Sequence, residues 1–278
     1  MNLPYLLPRV ARHFLPERLT RFLLLRSLII RPGLETTDPA KAVSRYLEVL
    51  QARGETIKDK RVLVFGYGGR FDVGIGLLEA GAGHVVLCEK FALPDDAHNA
   101  ELLPPKYDAY LFLDNGRPRP RPEQMTLLEA DIREIRPSAE MQPVDLAVSN
   151  SVYEHVDDVD GITRALAALT QPDGLQIHYI DLRDHFFKYP FEMLAYSEST
   201  WRGWLNPTSN HNRFRLWDYR RVFEKYFGKV EIQTLKRDEA AFEKARPRLR
   251  TEFVSGNLQV DSVTSVLVIA AEPRNKIE

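Results

Sequence analysis

The sequence predicts an α/β fold built on a mostly parallel sheet, and three observations predict it. The apolar run Val62 to Phe65 reads as a strand buried on both faces, and it ends in the glycine turn Gly66-Tyr-Gly-Gly69. Strand-like and helix-like periods then alternate along the chain, as successive β-α-β units require. A carboxylate, Glu89, closes the second apolar run about 20 residues past the glycines, where α/β nucleotide folds place the acid that grips a ribose.

Length and composition set the outer bounds. The 278 residues suit one large domain with additions, and an apolar content of 44% allows a substantial core. Lys and Arg number 38 against 39 Asp and Glu. That balance lacks the basic footprint of general nucleic-acid binding, so no nucleic-acid partner is expected. The single cysteine, Cys88, falls inside a buried strand and reads as a small core residue. No disulfide can form within the chain, which suits a reducing, cytoplasmic compartment.

Residues 1–37 form a basic, leucine-rich helical extension. Arg9, Arg12, Arg18, Arg21, Arg26 and Arg31 stand against one acid, Glu17. The apolar runs are too short to span a bilayer, and no secretory signal is read there. Two readings stay open. Residues 1–32 can rest on an anionic surface at the inner face of a membrane. Alternatively they cap the domain or a partner, which their poor segregation of apolar and charged residues favours.

The main domain spans residues 38–272, and 273–278 form a tail. Asp38 is an N-cap and Pro39 the first helical residue of a helix that runs through Tyr46 and Leu50 to Gly54. Strand patterns follow at 61–65, 84–89, 125–130, 144–149, 175–180, 230–235 and 262–271. Helical spacing is clear from Phe71 to Gly81, Asp158 to Leu169 and Asp218 to Phe227. Two segments are additions to this plan, at about 94–123 and 181–217. The first holds Arg117-Pro-Arg-Pro-Arg-Pro122, which predicts an extended, solvated loop.

The glycine turn departs from the hydride-transfer fingerprint. With Gly66 and Gly68 as its first two glycines, the third position falls on Phe71. A nicotinamide-dependent oxidoreductase is therefore the weaker alternative.

Two further motifs carry a resemblance. They are Asp145-Leu-Ala-Val-Ser-Asn-Ser-Val-Tyr-Glu-His-Val156 and Leu169-Thr-Gln-Pro-Asp-Gly174. In this order, behind the glycine turn and Glu89, they resemble the class I S-adenosylmethionine-dependent methyltransferases over about Asp38 to Ala271. In particular they resemble the broad bacterial group with a Glu-His-Val signature after the fourth strand. The resemblance implies a Rossmann-like, doubly wound, mostly parallel seven-stranded sheet with an antiparallel last strand. It implies S-adenosyl-L-methionine as cofactor. It also implies that Gly66, Tyr67 and Gly68 face the cofactor, that Asp131 and the Ile132 amide hold the adenine, and that Ser149 and Asn150 lie near the methionine or the transferred methyl. Residue chemistry agrees in part. Glycines let the backbone approach a ligand, and Glu89 can accept from both ribose hydroxyls. Asp131 can equally serve as the N-cap of the next helix. Relatives often carry an acid just before the first glycine, where this chain has Phe65.

Methyl transfer from a sulfonium needs alignment and desolvation, and a hydroxyl acceptor also needs a base. Ile177-His-Tyr-Ile-Asp-Leu-Arg-Asp-His-Phe186 is dense in titratable groups. Three readings compete. His185 takes a proton while Asp181 or Asp184 orients it; Asp181, Asp184 and His185 chelate Mg²⁺ or Mn²⁺; or the acids pair with Arg183, Arg213 or Arg215 and the histidine is packed. The first is preferred, and no metal is assigned. Glu154 and His155 are further base candidates, and for His155 the packed, hydrogen-bonded reading is preferred. His178, Trp201, Trp204, Arg213 and Arg215 are the candidate acceptor contacts, since indoles stack on rings and guanidinium groups pair with phosphate or carboxylate. The alternative for this region is an aromatic mini-core. Asn212-Arg-Phe-Arg215 resembles a segment of relatives tied to polysaccharide or glycolipid modification. The expected activity is O-methylation of a small molecule, a sugar or a lipid-linked glycan. The rival from another class is a non-catalytic scaffold that keeps the fold.

Overall fold

The computed structural model describes residues 2–14, 34–102, 108–138, 141–186, 188–206 and 211–274. Arg18, Arg21, Arg26 and Arg31 of the N-terminal extension lie outside the described residues. A seven-stranded sheet organises the rest. Its strands are β1 (Arg61–Phe65), β2 (His84–Cys88), β5 (Met125–Leu128), β6 (Val144–Asn150), β7 (Thr170–Asp181), β8 (Phe227–Arg237) and β9 (Val263–Pro273), in the spatial order β5-β2-β1-β6-β7-β9-β8. The pairs from β5 to β7 are parallel, and β9 runs antiparallel to both neighbours. This is the expected doubly wound sheet, with β9 as the reversed last strand.

Period-two alternation divides the core. Val62, Val64, Val85, Leu146 and Ile177 face α2 (Pro39–Ala52) and α3 (Asp72–Glu79). Leu63, Val86, Ala147 and Val268 face α4 (Val159–Leu169) and α5 (Leu216–Tyr226). Asp38 caps α2 by accepting from the Lys41 amide at 3.1 Å.

The first insertion differs from its expectation. Arg117–Pro120 is extended, but it is strand β4 and pairs antiparallel with β3 (Leu111–Asp114). Asn115 and Gly116, at φ of 49° and 76°, supply the two left-handed turn residues that a tight hairpin needs. Pro118 and Pro120 point inward while the arginines alternate outward, and Arg119 Nη1 donates to Asp96 Oδ1 at 2.7 Å.

The second insertion has its own small core of Phe191, Met193, Leu194, Trp201 and Leu205, joined by Phe242 and Ala245. Helix α1 (Leu3–His13) lies on it, with Leu6 and Val10 packed against that cluster. Tyr5 is fully buried, stacked on Tyr196 with ring centres 5.8 Å apart. Within the described residues the first helix therefore caps the domain. Leu3, Leu7 and Phe14 are exposed along its outer side. No helix among the described residues is long and apolar enough to cross a membrane.

Candidate functional site

The carboxyl ends of β1, β2 and β5 meet at one edge. The Gly66 amide donates to the Cys88 carbonyl at 2.8 Å, and the Glu89 amide to the Leu128 carbonyl at 3.0 Å. The glycine turn, Glu89 and the Asp131 loop are thereby neighbours, at the position where open α/β sheets bind ligands. Gly66, Gly68 and Gly69 all hold positive φ, between 73° and 84°. A Cβ at Gly66 would stand 2.5 Å from Val152 Cγ2, and one at Gly69 would stand 2.4 Å from the Leu93 carbonyl oxygen. Packing within the protein thus requires these glycines with or without a ligand. Tyr67 is fully buried beside Phe71, so at this position only backbone is available to a cofactor.

Glu89 accepts from the amides of Lys90 and Phe91, both at 2.9 Å and both on Oε1. Among the described residues Oε2 accepts nothing. Asp131 is differently placed. Its carboxylate takes Arg133 Nη2 at 2.6 Å, Arg133 Nε at 3.0 and 3.2 Å, Lys90 Nζ at 2.7 Å and the Arg133 amide at 3.0 Å. The bond from the Arg133 side chain is the main reason its pKa lies far below the usual carboxylate range. The N-cap role read as an alternative is realised here, at the start of the turn Ile132–Glu134. With its acceptor positions filled, Asp131 has no lone pair left for an adenine amino group.

Ser149 and Asn150 end β6. Ser149 Oγ lies 2.8 Å from His178 Nδ1, and His178 Nε2 lies 2.9 Å from Gln176 Oε1. Both groups are completely buried, so Ser149 faces the core while Asn150 stays at the edge. Asn150 Oδ1 accepts from Arg45 Nη1 at 3.3 Å, and the Arg45 guanidinium lies over the Tyr179 ring at 3.6 Å. His178 is therefore corrected from an acceptor contact to a core residue, because both ring nitrogens are engaged and no surface reaches solvent.

Burial lowers the His178 pKa to about 3 from an ordinary 6.5. Between those values the unfolded chain holds a proton that the native chain does not. Native stability therefore falls as pH drops through this window and is fully present above about pH 6.5. Wild type should lose about 2 kcal/mol more than His178→Gln between pH 7 and pH 5, measured by urea unfolding. Equal losses would show that His178 titrates normally in the folded protein.

The remaining candidates separate into engaged groups and an open cluster. Asp184 is fully buried and accepts from the Tyr5 hydroxyl, Arg9 Nη2 and the Phe186 amide at 2.9 Å. It anchors α1 and does not orient His185, which corrects its expected catalytic part. Arg215 donates to the carbonyls of Leu182, Asp261 and Val263. Arg213 donates to those of Met193 and Tyr196 and pairs with Glu198. Trp201 Nε1 donates to the His211 carbonyl at 3.0 Å. These three hold the insertion together as a mini-core, which removes them from the acceptor set. Trp204 is half exposed beside His13. Asp181 is held by Arg183 through Nη2 at 2.6 Å and Nε at 3.0 Å.

His185 instead meets two histidines from elsewhere in the chain. Its ring centre lies 4.6 Å from that of His155 and 4.6 Å from that of His211, and the latter two are 5.4 Å apart. Glu154 lies against them, and one ligand atom from each of Glu154, His155 and His185 falls within 4.8 Å of the others. Burial first, then the charges of neighbouring residues, lowers the His185 pKa to about 3 and pushes that of His211 far down. Burial, then Asp181, raises that of Glu154. The local backbone explains the meeting. Ser151 takes φ of 57° after β6 and starts the tight turn Tyr153–His155. Asn212 bonds the backbone of Tyr153, Glu154 and Val156 at 2.7–3.1 Å, which carries His211 to that turn. Sequence reasoning treated His155 as packed and did not weigh His211, because nothing local in the sequence joins positions 155, 185 and 211.

No family model matches the chain, and no curated protein matches it. Solved structures do. The chain is similar to phosphoethanolamine N-methyltransferase 2 of Haemonchus contortus, in complex with phosphomonomethylethanolamine and S-adenosylhomocysteine, at 15% identity and a TM-score of 0.53, over 83% of this chain and 53% of that one. It is also similar to a geranyl diphosphate methyltransferase in complex with S-adenosylmethionine, at 12% identity and a TM-score of 0.50, over 84% of this chain and 85% of that one. At such identities the likeness speaks to architecture, and with the strand order β5-β2-β1-β6-β7-β9-β8 it establishes that this chain has the fold of the class I S-adenosylmethionine-dependent methyltransferases.

Proposed function

We propose that this protein transfers a methyl group from S-adenosylmethionine to an oxygen atom of a small molecule, a sugar or a lipid-linked glycan. The observation that carries the reading is the convergence of the Gly66–Gly69 turn, Glu89 and the Ile132 turn at one sheet edge, in a chain with this fold. S-adenosylmethionine, when bound, supplies the activated methyl. Glu89 would hold the ribose through Oε2, which its own loop leaves open. The Ile132 amide would meet the adenine ring, while Asp131 fixes that loop through Arg133 and Lys90. The backbone of Gly66, Tyr67 and Gly68, with Asn150, would bound the methionine end.

His185 is the proposed base for the acceptor hydroxyl. Burial and the neighbouring His155 lower its pKa to about 3, so its imidazole is neutral at pH 7 and free to accept, while Asp181 opposes that lowering. Trp204 keeps the exposed face that an acceptor ring needs.

A scaffold reading has one observation in its favour, the saturated carboxylate of Asp131. Calorimetric titration with S-adenosylhomocysteine separates the two. One site per chain is expected, weakened by about 1–3 kcal/mol in Glu89→Ala through loss of charge-assisted ribose bonds. No heat at millimolar ligand would favour the scaffold, and unchanged affinity in Glu89→Ala would misplace the ribose.

A further inference from the structure

We propose that Glu154, His155, His185 and His211 form a binding site for one divalent first-row transition-metal ion. The geometry comes first. Ligand rings around a tetrahedral ion, with metal–nitrogen bonds of about 2.0–2.1 Å, stand with their centres roughly 5 Å apart. The three imidazoles stand 4.6, 4.6 and 5.4 Å apart. Their rings meet at 62–76°, edge to face, so the set is not a parallel stack in which one ring covers the next. One oxygen of Glu154 and one nitrogen each of His155 and His185 lie within 4.8 Å of one another, and His211, its ring centre 4.6 Å from that of His185 and 5.4 Å from that of His155, is the proposed fourth ligand.

The polar atoms of Glu154 and His211 are otherwise hard to explain. His211 is 4% exposed, and among the described residues neither ring nitrogen has a hydrogen-bond partner. Glu154 is 1% exposed, and the Ser151 hydroxyl and the Glu154 and Asp181 backbone approach its carboxylate without reaching hydrogen-bond geometry. Leaving these four atoms in the interior costs free energy unless something else satisfies them. A cation would engage one His211 nitrogen and the Glu154 carboxylate together. The cations nearby are already matched, Arg9 by Asp184 and Arg183 by Asp181.

The surrounding scaffold is that of a built site. The His211 backbone is fixed by Trp201 Nε1 at 3.0 Å and Asn206 Nδ2 at 2.9 Å, so its ring is presented with little freedom. His155 and His185 retain partial solvent contact, which gives an ion a route in. Imidazole-rich sets suit zinc, iron, nickel or copper, whereas magnesium and calcium take oxygen ligands. The site differs from a chelate of Asp181, Asp184 and His185, because both acids are held by arginines. It does not depend on the cofactor reading, but it is exclusive with the base role proposed for His185, since a nitrogen bonded to the ion cannot accept a proton.

The test uses full-length protein stripped with chelator. Zn²⁺ is titrated by competition with a chromophoric chelator, and Co²⁺ is followed by its visible absorption. One ion per chain is expected, with Co²⁺ bands of a nitrogen-ligated centre and no uptake of Mg²⁺. Since loss of an outer-shell partner alone costs about 10–100-fold, His185→Ala and His211→Ala should each weaken Zn²⁺ by more than about 100-fold. Glu154→Gln keeps the side chain's shape and should weaken Zn²⁺ while retaining the circular dichroism of wild type. This variant keeps the test decisive where a histidine variant fails to fold. His84→Ala, remote from the cluster, should bind as wild type does. Absence of stoichiometric Zn²⁺ and Co²⁺ uptake would overturn the site, as would equal affinity in wild type and Glu154→Gln.

Discussion

Arg215→Met is expected to destabilise the protein by roughly 3–5 kcal/mol, because it leaves three buried carbonyls without a donor. Arg215 has no exposed surface, and its guanidinium donates to Leu182 at 3.2 Å, Asp261 at 2.8 Å and Val263 at 2.9 Å. Those carbonyls belong to the exit of β7 and the approach to β9, two strands that meet only in the folded sheet. Burial lowers its pKa to about 10, so it stays cationic at neutral pH. Methionine preserves much of the volume beneath Phe191, which separates loss of hydrogen bonds from loss of packing. Arg215→Lys should rescue little, since one ammonium group cannot reproduce the planar fork that spans three acceptors. Thermal or urea unfolding reads the effect. A change under about 1 kcal/mol would mean the carbonyls find other partners.

Arg9→Ala should cost a similar amount, about 3–5 kcal/mol, for a different reason. It strands the buried Asp184 carboxylate, which keeps only the Tyr5 hydroxyl and the Phe186 amide. The Arg9 guanidinium also lies 4.8 Å over the rings of both Tyr5 and Trp201 and donates to the Leu205 carbonyl at 2.8 Å. Helix α1 is therefore bolted to the second insertion through one charge pair inside an aromatic cage. The double variant Arg9→Ala, Asp184→Ala should lose less than the sum of the two singles, because the second change removes the charge left unpaired by the first. Limited proteolysis should cut residues 1–14 faster in Arg9→Ala than in wild type. Additive losses with unchanged cleavage would show that the pair does not hold the helix.

The fold was legible because its signals are local. Val62 to Phe65, the alternating strand periods and the Asp38-Pro39 cap each declare themselves within a few residues, and the sheet forms where they place it. The Asn115-Gly116 turn was equally local, yet the Arg-Pro repeat beside it suggested a solvated loop. Proline is tolerated in β4 because that strand belongs to a two-stranded hairpin, where one edge makes no ladder bonds. The site was less legible because its partners are distant in sequence. Spacing alone put Asp181, Asp184 and His185 in one group, but the irregular backbone past the end of the strand turns each side chain elsewhere. Asp184 turns to Arg9, Asp181 to Arg183, and His185 to His155 and His211. Nothing near Asp131 revealed that Lys90, 41 positions earlier, would share its carboxylate with Arg133.

The central claim is that the edge formed by Gly66, Glu89 and the Ile132 turn is a cleft for an adenosyl ligand. A crystal structure of the protein grown with S-adenosylhomocysteine tests it most directly. The account predicts ribose hydroxyls on Glu89 Oε2, the adenine against the Ile132 amide and the sulfur close to Asn150. Crystals grown at saturating ligand that show this edge closed by Val152 and the Leu93 loop, or the nucleoside seated elsewhere on the chain, would contradict it.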